Sequence, residues 1–192
     1  SIDYFGNWKG LHYKAKRSFE NVLISSKIEN DILKTWIVTD DLKSEEGLLD
    51  LKLIDFNGNP IWQDSKSIKV ASNSSEIKYE LDLKSIMFNK NETVLISKFN
   101  NYASYFYLIK PKDLKLKQAK IIKKITKSKD GFNIELTSKT LQKDVFLFTE
   151  SKGHFSDNFF DLLPNDSITV HFKTVAKTLN DLELKTFNTF IR

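Results

Sequence analysis

Hydrophobic positions change their period once along this chain, near residue 20. In "DYFGNWKGLHYKAKRSF", residues 3–19, Trp8, Leu11, His12, Ala15 and Phe19 recur at the i, i+3, i+4, i+7 spacing of one helical face. Lys9, Tyr13, Lys16 and Arg17 fall on the other side. From Asn21 onward the period is that of strands. "EIKYELDL" places Ile77, Tyr79, Leu81 and Leu83 on one face, with Glu76, Lys78, Glu80 and Asp82 opposite, the pattern of a half-buried antiparallel strand. "LLDLKLIDFNGNP" sets Leu49, Leu51 and Leu53 on one face and ends in Asn57-Gly58, a hairpin-turn pair. With "DILKTWIVTD", "KSIKVAS", "ETVLISKFN" and "YASYFYLIK", about seven short strands over residues 21–110 predict an immunoglobulin-like sandwich.

"KPKDLKLKQ" then interrupts the pattern with Pro111 and four lysines, and reads as a surface linker. The strand period restarts in "AKIIKKI", "GFNIELTS", "DVFLFTE", "SITVHFK" and "LELKTFNTF", with turns at "SKDG" (128–131) and "LPND" (163–166). The predicted fold class is mainly β: two immunoglobulin-like antiparallel sandwiches in tandem, preceded by one α-helix. The predicted ranges are 1–20 for the helix, 21–110 for the first sandwich and 111–192 for the second.

Composition narrows the chemistry. There is no run of about 18 apolar residues, hence no predicted membrane span. Cysteine is absent, which excludes disulfides and thiolate metal sites. The net charge of +5 comes almost wholly from lysine, since arginine occurs only at 17 and 192. Bidentate base and phosphate contacts favour arginine, so no nucleic-acid partner is predicted.

Two stretches resemble one family. "SIDYFGNWKGLHYKAKRSFENVLIS" is similar to the end of the catalytic barrel in β-mannosidases of glycoside hydrolase family 2, where a "W-K-x-L-H-Y-x-A-K/R-R-F-F" helix runs into the first strand of the next domain. Trp8, Lys9, Leu11, His12, Tyr13, Ala15, Lys16, Arg17, Phe19, Val22, Leu23 and Ser25 carry the match. "GHFSDNFFDLLPNDSITVHF" resembles that family's C-terminal domain, in which "F-S-D-N-x-F-D-L-L-P" precedes a strand. Gly10 stands where many relatives carry Ala, a change that costs a helix interior about 1 kcal/mol. Glu20-Asn21 replaces a more apolar junction with proline. The resemblance implies that the helix is a remnant of a (β/α)8 barrel, and that the catalytic glutamates belong to that barrel. It also implies a periplasmic, secreted or lysosomal enzyme.

No catalytic, cofactor-binding or metal residue is therefore assigned within the chain. Asp40-Asp41 and Glu45-Glu46 read as solvated charge around a turn, Asp3 as a helix cap, and Tyr4 as packing or barrel-rim surface. His12 reads as a core or interface histidine, while His154 and His171 are isolated in sequence. Asp157, Asn158 and Asp161 in "SDNFFD" suit a side-chain-capped turn better than a calcium loop, lacking the dense acids and glycine of an EF-hand. Trp36 reads as core and Trp62, beyond Pro60, as exposed. "YASYFYLIK" puts Tyr102, Phe106 and Leu108 on one face and Ala103, Tyr105, Tyr107 and Ile109 on the other, a strand covered on both sides. The lysine run over 110–129 lacks interleaved aromatics and reads as a solvated face.

The expected function is that of non-catalytic C-terminal domains of a β-mannosidase, with the same domains of an exo-β-glucosaminidase as the near alternative. A carbohydrate-binding or adhesin-like tandem sandwich is the alternative from another class. The expected partner is an upstream catalytic barrel of the same polypeptide, which alone would meet the oligosaccharide substrate. The apolar stripe of the helix is expected to fold back on the first sandwich or to join copies of the chain.

Overall fold

Seven strands form between residues 22 and 107 in the computed structural model, which describes residues 2–4 and 6–190. Ser1, Phe5, Ile191 and Arg192, and with them the outer ends of the predicted ranges 1–20 and 111–192, lie outside the described residues. An α-helix, α1 (Gly10–Ser18), precedes β1 (Val22–Glu29), β2 (Ile32–Thr39), β3 (Glu45–Asp55), β4 (Pro60–Val70), β5 (Ser74–Asp82), β6 (Thr93–Phe99) and β7 (Tyr102–Tyr107). The second set is β8 (Ile122–Ser128), β9 (Gly131–Thr137), β10 (Gln142–Phe148), β11 (His154–Phe155), β12 (Phe160–Leu162), β13 (Ser167–Lys173) and β14 (Glu183–Lys185). The mainly β fold with tandem immunoglobulin-like sandwiches stands as predicted. The chain divides into two units. One comprises Ser18–Asp55 and Asn59–Lys115; the other comprises Ser1–Arg17, Phe56–Gly58 and Leu116–Arg192.

In the first unit a sheet of order β1-β2-β5 faces one of order β4-β3-β6-β7, all neighbours antiparallel. Its core takes Val22 and Ile24 from β1, Leu33 and Ile37 from β2, and Leu81 from β5. The other sheet contributes Leu49, Leu51 and Leu53 from β3, and Leu95 and Phe99 from β6. Strict alternation explains β3, because every second residue must point inward. The β3–β4 hairpin closes where predicted, with Gly58 at φ +92°, a conformation that glycine adopts without steric cost. Tyr102, Phe106 and Leu108 pack on this core, while Tyr105 and Tyr107 on the opposite face are half-buried.

Three residues of the first unit sit differently from expectation. The β2–β5 register slips between Thr35 and Trp36, so that Thr35 pairs with Tyr79 and Trp36 with Ile77. A bulge of this kind interrupts alternation. Ile77, read as core, is 42% exposed, and Trp36 is half-buried on the face opposite Leu33 and Ile37. Trp62 is also half-buried, lying against the core 6.0 Å from the Tyr79 ring. The 110–118 segment is not a purely solvated linker: it turns at Pro111–Asp113 and buries Leu114.

The second unit pairs a sheet of order β11-β13-β9-β8 with one of order β12-β10-β14. Phe132, Ile134 and Leu136 of β9 and Val170 and Phe172 of β13 meet Val145 and Leu147 of β10 across its core. Its C-terminal end is held by Asn188, which is buried in a 3-10 turn. That side chain donates to the carbonyls of Lys117 and Leu141, each at 2.8 Å, and accepts from the Lys143 N–H at 2.8 Å.

Candidate functional site

The helix brings a cluster of side chains to the C-terminal sandwich. Asp3 does not cap α1, which begins seven residues later. Instead its carboxylate accepts from the Asn7 N–H at 2.8 Å and from the Asn7 amide at 3.0 Å, closing a loop with Gly6 at φ +85°. The same closure recurs at Asp55 and Asn59, at 2.8 and 2.7 Å. "DYFGN" and "DFNGN" thus share one D-x-x-G-N device.

The face of α1 that packs is not the predicted stripe. Leu11 is 68% exposed and Phe19, beyond the helix end, 87% exposed, whereas Tyr13 is 3% exposed. The seat belongs to the C-terminal sandwich, not to the first one. Arg17 is its anchor: the guanidinium donates to Asp157 Oδ1 at 2.5 Å, to the Asn158 carbonyl at 3.3 Å and to the Phe159 carbonyl at 2.9 Å. Lys16 donates to the Ser156 carbonyl at 3.1 Å, and Lys14 pairs with Asp144 at 3.1 Å. Gly10 is the first helical residue, where its entropic cost is small. A Cβ there would lie 3.3 Å from the Phe159 ring, so glycine admits that ring.

The receiving corner is built by "HFSDNFFDLLP" as a side-chain-capped turn. Asn158 is buried; it accepts from the Leu147 N–H at 2.8 Å and donates to the Leu147 carbonyl at 2.9 Å, replacing a ladder partner for β10. It also accepts from the Phe159 N–H at 3.0 Å, which supports Phe159 at φ +55°, an unusual conformation for a bulky residue. Phe159 stacks on Phe146 with centroids 4.7 Å apart. Phe155, Phe160, Leu162 and Leu163 are buried below.

Between α1 and this corner runs a groove of about 300 Å³, walled by Trp8, Tyr13, Phe146, Phe148, His154 and Phe159. His154 is not isolated, for the Trp8 ring lies 5.6 Å from it and 4.0 Å from His12. Asp3 is the carboxylate in the groove lining, and Asn7 engages both its oxygens. Glycoside hydrolysis needs two carboxyl groups flanking the bond to be broken, and this groove does not supply them. It offers aromatic surface instead.

Burial, reinforced by the charge of Asp157, pushes the Tyr13 phenol up to about 12. A raised phenol favours the neutral form, so the stability it confers is intact below about pH 10 and is lost as pH climbs towards 12. In an ultraviolet tyrosinate titration, Tyr13→Phe should remove one late-ionising group and leave the Tyr79 step, also near 12. Loss of an early-ionising group instead would place Tyr13 in solvent.

A second polar cluster escaped sequence reading. Lys143 lies 3.3 Å from Asp144 Oδ2 and 3.5 Å from Asp161 Oδ2, and Asp161 Oδ1 accepts the Asp144 N–H at 2.8 Å. Two ammonium groups, from Lys143 and Lys14, face these two carboxylates, so the cluster is an ion network rather than an acid/base pair. Its one sequence signal is a charged pair, Lys143-Asp144, inside an apolar strand. His171 is also engaged, with Nδ1 2.9 Å from Asn133 Oδ1 and Nε2 3.2 Å from Asp130. Asp41 accepts from the Lys43 N–H, and Glu46 pairs with Lys69 at 2.9 Å. No group of three or more His, Cys, Asp or Glu side chains placed to hold a metal occurs among the described residues. Among the described residues no helix is long and apolar enough to cross a membrane.

Comparison with known proteins places these units. Residues 31–113 match a mannosidase Ig/CBM-like domain and residues 116–189 an Ig-fold domain of mannosidases. β-Mannosidase A of Aspergillus terreus is 24% identical over 89% of this chain and 21% of its own length; that of Neosartorya fischeri is 22% identical over 94% and 22%. The chain thus spans about a fifth of the length of these relatives. Among solved structures, β-D-mannosidase from Dictyoglomus thermophilum superposes with a TM-score of 0.82 at 22% identity, over 97% of this chain and 24% of that one. An exo-chitosanase from Amycolatopsis orientalis gives 0.63 at 12% identity, over 97% and 28%.

Proposed function

We propose a function from a family premise: this chain is a β-mannosidase-like region of glycoside hydrolase family 2, built from the immunoglobulin-type domains of mannosidases. In this reading its two sandwiches are the non-catalytic C-terminal domains of a retaining hydrolase that removes terminal β-linked mannose from oligosaccharides. The reaction belongs to a (β/α)8 barrel earlier in the same polypeptide, where two carboxyl groups about 5–5.5 Å apart act as acid/base and nucleophile. α1 is then the last helix of that barrel. Arg17, Tyr13 and Gly10 fasten it to the C-terminal sandwich, and Leu11 and Phe19 face the barrel or a second copy.

One observation carries the reading: two mannosidase domain matches follow one another along the chain, each on one predicted sandwich. The exo-chitosanase likeness favours a second reading, an exo-β-glucosaminidase, because its sandwiches share the fold. The expected result is that the purified protein does not hydrolyse an aryl β-mannoside, even at high concentration. Joined to its barrel it should turn the mannoside over in preference to the aryl β-glucosaminide. Hydrolysis by residues 1–192 alone, undiminished by further purification, would overturn the assignment, and preference for the glucosaminide would select the second reading.

A further inference from the structure

Three loops of the C-terminal unit converge at one end of its four-stranded sheet, where Ser128 pairs with Gly131, Gly131 with Lys173, and Lys173 with His154. The Thr174 N–H donates to the Asp130 carbonyl at 3.0 Å and the Thr174 hydroxyl to the Lys152 carbonyl at 2.7 Å, which binds the loops to each other. They enclose an open cleft of about 620 Å³ lined by Lys127, Lys129, Lys152, Lys173 and Lys177. Asp130 is the carboxylate in that lining, and it is engaged by His171 at 3.2 Å. None of the five ammonium groups has an ion-pair or side-chain hydrogen-bond partner among the described residues. Elsewhere Lys27, Lys34, Lys69, Lys78 and Lys143 all pair with carboxylates. In the wall of the same cleft the Ser128 hydroxyl is buried without a hydrogen-bond partner. Gathering like charges in one concavity opposes folding through self-repulsion and raises the local concentration of anions.

We propose that this cleft binds an anionic oligosaccharide, one whose sugar rings carry sulfate or carboxylate groups. Lysine presents compact charges on flexible stems, suited to oxyanions spaced along a chain rather than to the planar fork of a guanidinium contact. The cleft has no arginine, and its one ring is the His154 imidazole, so it lacks the stacking platforms that hold single-stranded nucleic acid. It also lacks the aromatic anchors that dominate peptide interfaces, and its concavity does not match a flat bilayer. The lysines instead line an open cleft with Thr174 in its wall, a setting for charged groups and hydroxyls together. This site is independent of the mannosidase reading.

The test is titration of the protein with a fluorescent heparin-derived hexasaccharide at low and at about 150 mM salt, where the Debye length is ~8 Å. Lys129→Glu with Lys177→Glu should weaken binding at least about tenfold, and salt should weaken the wild type in the same sense. Lys43→Glu with Lys52→Glu makes the same charge change on the first unit, at exposed positions, and should have little effect. An equal loss in both variants, or no binding at low salt, would overturn the site. Tighter binding of a single-stranded oligonucleotide or a phosphatidylserine vesicle would overturn the ligand class. A folded circular-dichroism spectrum for both variants separates lost binding from lost structure.

Discussion

Asn158→Ala is expected to cost the C-terminal sandwich about 3–5 kcal/mol. The estimate follows from what Asn158 replaces. Its amide satisfies both the N–H and the carbonyl of Leu147 on β10, at 2.8 and 2.9 Å, from a buried position. Alanine would strand two buried backbone groups, each costing about 1–3 kcal/mol without a partner. It would also release the Phe159 N–H, and with it the support for the positive φ of Phe159. At roughly 4–8 °C per kcal/mol for a domain of this size, the melting midpoint should fall by more than about 12 °C. Asn158→Asp keeps the acceptor but cannot donate to the Leu147 carbonyl, so it too should be markedly destabilised. Urea unfolding followed by tyrosine and tryptophan fluorescence measures both. A loss under about 1 kcal/mol for the alanine variant would mean that water replaces the amide.

Asp161→Ala should destabilise by about 3 kcal/mol, and most of that loss should vanish when Lys143 is replaced as well. Lys143 and Asp161 have side chains only 11% exposed, so removing one partner leaves the other buried with its charge weakly compensated. Asp144 remains near Lys143 and holds the cost to the lower end of the range for broken buried pairs. Lys143→Met with Asp161→Leu substitutes apolar volume for both charges, an exchange that buried ion pairs tolerate. A double-mutant cycle in urea should therefore give a coupling of about 2 kcal/mol or more. Additive losses would show that the two groups act separately.

Legibility of the fold tracked how local its causes are. β3 was readable because Leu49, Leu51 and Leu53 alternate without interruption and Asn57-Gly58 closes its turn. Ile77 was misplaced because the register slip beside it lies in the pairing of two strands, and Trp36 because β2 buries Leu33, Thr35, Ile37 and Thr39, the face opposite its ring. The helix shows the limit more sharply. Periodicity weighed Leu11 and Phe19 as the buried side, yet the packed side holds Tyr13 and Arg17. An arginine face looks solvated until its acceptors are known, and these are carbonyls some 140 residues away. The receiving corner was legible as a capped turn, since Ser156, Asp157 and Asn158 sit among five large apolar residues. That Asn158 stands in for a strand was not, because Leu147 is distant in sequence.

The placement of α1 also sets an order in time. Arg17 is synthesised ahead of its acceptors at 157–159, which follow 140 to 142 positions later. At about 5–20 residues per second, a nascent chain leaves the helix without its seat for roughly 7–28 s. Meanwhile the whole first sandwich emerges, and its β3–β4 hairpin pairs neighbours across a short loop in which Asn59 bonds back to Asp55. That sandwich lies within the chain span of the other unit, whose earliest segment must wait through its folding. Within this span, completion of the C-terminal unit thus follows the emergence of the first sandwich, and burial of Tyr13 marks it.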